Sequence, residues 1–142
     1  MIVLDTNVVS ELMRQSPELS VVLWVDAFAA ADVFVTAVTA AVLMYGVARR
    51  PEGRRKQDLF ARVGALPAED FEEQVLPFDG LAAVHYADIV ASRERAGRPI
   101  GTADAQTAAI CRHWNAGLAT RNVAAFVDTG VHVVNPWNTT RQ

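Results

Sequence analysis

Short apolar runs of β type alternate along this chain with stretches whose apolar residues recur at helical spacing. Ile2-Val3-Leu4, Val33-Phe34-Val35, Val75-Leu76, Leu118-Ala119 and Val131 to Val134 read as five strands. Between them, Val8 to Met13 is amphipathic, and Leu19 to Ala29 sets Val22, Trp24, Val25 and Phe28 at helical intervals. Thr39 is expected to cap a helix that is apolar on nearly every side through Ala48, hence central and buried, and that Pro51 ends. A charged amphipathic helix over Arg54 to Leu66 should follow. After it come a helix from Leu81 to Ala96 that stops at Gly97, and one capped by Thr102 that runs to Trp114. Strands alternating with helices predict an α/β domain: a mainly parallel five-stranded sheet flanked by helices. It should occupy residues 1–137, with a short polar tail at 138–142.

Composition changes the picture only at the margins. With 142 residues, 51% of them apolar, the chain can bury one sizeable core and is not disordered. Its longest apolar stretch, Ala37 to Ala48, is followed by Arg49 and Arg50 and falls short of the roughly 18 residues of a membrane span. No basic and apolar leader precedes the first strand, and Cys111 stands alone. A reducing cytoplasm is therefore the expected location, without disulfide or cysteine-rich zinc site. The net charge of −3 gives no global attraction for nucleic acid, which disfavours a coating protein but not an enzyme with a local site. Residues 49–62 gather six basic side chains against Glu52 and Asp58, either a solvated helix face or a phosphate-steering patch.

Chemistry concentrates where strands end. Asp5 follows strand one, Thr36 and Thr39 strand two, Asp79 strand three, and Thr120-Arg121-Asn122 strand four, while Asp104 lies just inside the helix that begins at Thr102. In an open parallel sheet, ligands bind beyond the carboxyl ends of the strands. Asp79, before Gly80, and Asp104, in a helix's first turn, are each accounted for as helix-start acids. Asp5 is less easily explained that way, because Thr6 and Asn7 already supply turn chemistry. Oxygen donors converging on one edge suit Mg²⁺ or Mn²⁺, which can orient and deprotonate water and neutralise charge on a phosphodiester. Phosphate-cradling glycine motifs and a nucleophile elbow are absent. His85, His113 and His132 form no ligand-spaced pair, and Cys111 reads as a buried helix residue.

Leu4-Asp5-Thr6-Asn7, Arg98-Pro99-Ile100 leading to Ala103-Asp104-Ala105, Ala119-Thr120-Arg121-Asn122 and Asn135-Pro136-Trp137 together resemble the PIN-domain toxins of the VapC type, in particular the FitB-like branch. The resemblance spans nearly the whole chain. It implies a PIN-like three-layer fold, a homodimeric toxin, Mg²⁺-dependent RNA cleavage with Mn²⁺ as a substitute, and a small VapB-type antitoxin. That antitoxin would fill the cleft and carry the complex to its own promoter DNA. Carried over, Asp5 and Asp104 match the metal-binding acids, and Asn122 stands where relatives have Asp or Asn and completes the catalytic set. Thr6, Asn7 and Thr120 would support those acids or contact phosphate, and Thr39 would shape the pocket.

One position departs. The family reads Thr-x-Ala-Glu-Leu after strand two, and this chain reads Thr39-Ala40-Ala41-Val42-Leu43. Val42 replaces a carboxylate where the ion should bind and, with Thr39 as cap, would also forfeit a capping box. Three readings follow. The first is a ribonuclease toxin attenuated by Val42. The second is a catalytically dead PIN-fold module that binds antitoxin and co-represses transcription. The third, a phosphatase with an Asp nucleophile, would need an acid where Asn7 stands. For the antitoxin, Val9, Leu12, Met13, Val21, Trp24 and Val25 offer either an apolar groove or simply cover for the sheet.

Overall fold

The computed structural model describes residues 1–49 and 74–139. Five parallel strands form one sheet in the order β3-β2-β1-β4-β5, comprising β1 (Ile2–Leu4), β2 (Val33–Thr36), β3 (Val75–Leu76), β4 (Gly117–Ala119) and β5 (Val133–Val134). Among the described residues five α-helices accompany them: α1 (Thr6–Leu12), α2 (Leu19–Asp26), α3 (Ala37–Ala48), α4 (Gly80–Arg95) and α5 (Thr102–Trp114). The helix expected over Arg54 to Leu66, the adjoining basic patch and the end of the polar tail lie outside the described residues.

Both sheet faces are covered, and the strands alternate strictly between them, as the two-residue period of a strand requires. Val3, Phe34 and Leu118 join a core with Ile89 of α4 and Ala108, Ala109 and Ile110 of α5. Ile2, Leu4, Val33, Val35 and Ala119 join the opposite core with Val8, Val9, Val21 and Trp24 from α1 and α2. The possible groove on the first two helices is thereby closed. Val9 and Val21 are buried, and Leu12, Met13, Trp24 and Val25 pack against the same cluster.

Three local expectations are corrected. Thr36, not Thr39, caps α3: its hydroxyl accepts from the Thr39 N–H at 3.1 Å, while Thr39 lies inside the helix. An acid at position 42 would therefore belong to the second turn of α3 and could not complete a capping box. Gly101, not Thr102, occupies the cap position of α5, and no side chain bonds there. Finally, α3 is not buried on every side. Thr39, Ala40 and Val47 face inward, but Val42 is 45% exposed, Met44 52% and Tyr45 67%. An apolar face on a helix does not by itself establish that the face is covered.

Candidate active site

The strand order places a topological switch at β1. From β1 the chain moves to β2 and β3 on one side, then crosses to β4 and β5 on the other. The crevice between the carboxyl ends of β1 and β4 is thus where an open parallel sheet builds a binding site. Asp5 and Thr120 are the residues that follow those two ends.

Asp5 is held from both sides. One carboxylate oxygen accepts from the Thr6 N–H at 2.9 Å, which makes Asp5 the cap of α1. The other accepts from the Thr120 hydroxyl at 2.8 Å, across 115 residues of sequence. Thr120 is fully buried, and its oxygen accepts in turn from Asn7 Nδ2 at 3.2 Å and from the Asn122 N–H at 3.1 Å. Asn7 Oδ1 accepts from the Arg121 N–H at 3.1 Å. Strand one, helix one and the loop after β4 are thereby laced together by polar groups that all find partners, as burial demands. Thr6 donates its hydroxyl to Thr39 at 3.1 Å and so ties α3 to the same edge.

Asp104 reaches this edge from the first turn of α5. It is partly buried, and its carboxylate makes no hydrogen bond or ion pair among the described residues. Burial first, and the Asp5 charge second, push its proton affinity above the usual carboxylate range, while the Arg93 guanidinium opposes both. Asp104 therefore senses, at one sheet edge, the charge of an acid 99 residues earlier in the chain. Asn122 sits beside them with an exposed side chain, its backbone tied to Thr120. Val42 lies in the turn of α3 after Thr39, but exposed where Thr39 is buried.

The donor set, two carboxylates with hydroxyl and amide oxygens nearby, is of the oxygen type that a hard divalent ion of the Mg²⁺ kind takes. Among the described residues no group of three His, Cys, Asp or Glu side chains is arranged to hold a metal. The position where a third acid is expected carries Val42. Cys111 contributes no nucleophile: burial, reinforced by Asp5, pushes its thiol up to about 12.

Some residues near the site carried no distinguishing signal in the sequence. Arg93 looks like one of several charges late in α4, yet it is buried. Its Nε donates to the Arg98 carbonyl at 2.7 Å, and its Nη1 to the Ala125 and Val127 carbonyls at 2.9 Å each. Glu11, one turn beyond Asn7, accepts from the Glu18 N–H at 2.8 Å and from Arg14 at 3.0 Å, which holds its carboxyl below the usual range. Arg121 lays its guanidinium over the Trp137 ring, 4.7 Å from the centroid.

Comparison with known proteins agrees with this architecture. The chain is 37% identical over 137 residues to VapC ribonuclease Y4jK of Sinorhizobium fredii, covering 96% of this chain and 98% of that protein. It is 38% identical over 138 residues to toxin FitB of Neisseria gonorrhoeae, covering 97% and 99%. The fold superposes on the structure of FitAB bound to an IR36 DNA fragment with a TM-score of 0.91, at 36% identity and 99% coverage of both chains. It also matches DNA-bound VapBC from Salmonella typhimurium with a TM-score of 0.80 at 23% identity over 95% of this chain and 97% of that one, a likeness of fold. The PIN domain profile matches residues 2–131, and the chain belongs to the PIN-domain family.

Proposed function

We propose that this chain is the toxin of a type II toxin–antitoxin pair, a Mg²⁺-dependent ribonuclease whose turnover is lowered by Val42. The observation that carries the reading is the pairing of Asp5 with Asp104, two carboxylates whose mutual repulsion at a sheet edge a divalent cation would relieve. Near full-length similarity to proteins named VapC ribonuclease and toxin FitB supports it.

Asp5 and Asp104 would hold the ion, and Asn122 would orient the attacking water through its unengaged side chain. When bound, such an ion supplies charge neutralisation at the phosphodiester and lowers the pKa of water. Thr120 fixes the Asp5 carboxylate by donating its hydroxyl to it. Thr6 and Thr39 shape the neighbouring wall. No histidine lies among these groups, so proton transfer falls to water.

Partners follow from the same relatives. A small VapB-type antitoxin would cover the cleft and carry the complex to promoter DNA; the structure of FitAB bound to a DNA fragment supports DNA binding by such a complex. A homodimer and a cytoplasmic location complete the proposal. No described helix is long and apolar enough to cross a membrane.

A second reading keeps antitoxin binding and removes catalysis, and the missing third acid favours it. RNA cleavage with and without Mg²⁺ separates the two. The toxin reading expects cleavage that EDTA and Asp104→Asn abolish, and that Val42→Glu raises on the order of 10²-fold, the scale of one major electrostatic group. Absence of cleavage in both the native chain and Val42→Glu, with antitoxin binding intact, would establish the dead module.

A further inference from the structure

We propose that Arg121, held over the Trp137 ring, binds a backbone phosphate of single-stranded RNA at the α1-side rim of the site. The inference rests on the ribonuclease reading and specifies how the strand is held outside the catalytic acids. Arg121 lies between Thr120, the hydrogen-bond partner of Asp5, and Asn122. Its backbone is fixed at both ends: β4 precedes it, and its N–H donates to Asn7 Oδ1 at 3.1 Å.

The platform beneath it is equally fixed. The Trp137 N–H donates to Asn135 Oδ1 at 2.9 Å, Pro136 is buried, and the indole packs against the apolar cluster under α1 and α2. A guanidinium held 4.7 Å from an aromatic centroid uses the ring for its face and leaves its N–H donors for another partner. Arg121 is exposed, and among the described residues those donors make no hydrogen bond or ion pair.

Of the other described arginines, Arg49 and Arg95 lie at the C-terminal ends of α3 and α4, Arg49 over the Tyr45 ring, and the remaining four are engaged. Arg14 binds Glu11, Arg98 binds Asp128, Arg112 binds Asp88, and Arg93 holds three carbonyls. Glu11 lies close enough for its charge to sense Arg121, but its oxygens are taken by Glu18 and Arg14. A planar cation with free paired donors, ordered before binding, is complementary to a phosphate. In a chain of net charge −3, local cations of this kind must supply the attraction for a polyanion.

The test is binding of a labelled single-stranded RNA of mixed sequence to the full chain in Ca²⁺, across a salt series, by fluorescence anisotropy. Arg121→Gln should weaken binding about tenfold and reduce the slope of log K against log salt by about 0.7, the value for one phosphate contact on a single strand. Arg121→Lys should keep the slope. Trp137→Leu should lose affinity at unchanged slope, because the charge remains and its platform is gone. In cleavage assays Arg121→Gln should raise KM with kcat retained. An unchanged slope in Arg121→Gln overturns the proposal, as does a variant that loses antitoxin binding while RNA binding is untouched. If the native chain itself shows no salt-dependent RNA binding, the ribonuclease reading falls, and this contact with it.

Discussion

The two acids at the sheet edge are held in opposite ways. Asp5 is surrounded by dipoles: both oxygens accept hydrogen bonds, one from the start of α1 and one from a buried hydroxyl after β4. Asp104 is surrounded by charges, repelled by Asp5, attracted by Arg93 and bonded to no described residue. The first acid is part of what holds the domain together, whereas the second costs stability until something positive arrives. A single site can thus contain one residue whose loss unfolds and another whose loss only disarms. Sequence position alone does not tell them apart.

Substitutions that strip each side should separate these roles. Arg93→Met should have the largest effect, about 3–5 kcal/mol of lost stability in urea denaturation, because three carbonyls lose their donor in a buried setting. Asp5→Ala should lose about 2–4 kcal/mol, combining a missing cap with an orphaned Thr120 hydroxyl. Thr120→Val should cost about 1–3 kcal/mol, since Asp5, Asn7 and the Asn122 amide all lose one partner.

Asp104→Asn should move stability the other way. A carboxyl whose folded pKa is raised contributes stability that is present below its unfolded pKa and is lost as pH rises through the folded value. The Asp104 contribution to the metal-free native chain, read as its stability relative to Asp104→Asn, should therefore be lost as pH climbs from about 4. Asp104→Asn should lack that loss, match or exceed the native Tm near neutrality, and lose the Tm gain given by Mg²⁺. A Tm well below native for Asp104→Asn would end the comparison, because it would show that Asp104 also supports the fold.

Much of the frame was legible because a strand buried on both faces leaves an unmistakable apolar run. Ile2 to Leu4 and Val75-Leu76 appear in the structure with the bounds their pattern implies. Helix starts were harder. Thr36 and Thr39 are chemically identical and three residues apart, and only the end of β2 decides which one faces a free amide. At α5 the sequence offered Thr102 as cap, yet the backbone turns at Gly101. Exposure was less legible still. The apolar side chains of α3 suggested a buried helix, but Val42, Met44 and Tyr45 face outward in this single chain.

At the site, the acids were visible because they sit at strand and helix ends. Their partners were not, since a bond between Asp5 and Thr120 joins residues that no local pattern connects. Arg93 was invisible for a related reason: its ligands are backbone carbonyls, which every residue has.

The long reach of the Asp5–Thr120 bond has a consequence for the birth of the protein. Asp5 is synthesised 115 positions before the hydroxyl that fixes it. Pairings this distant in sequence are late events in folding. A nascent or truncated polypeptide that stops short of Thr120 therefore carries the acid without the hydroxyl that holds it in place.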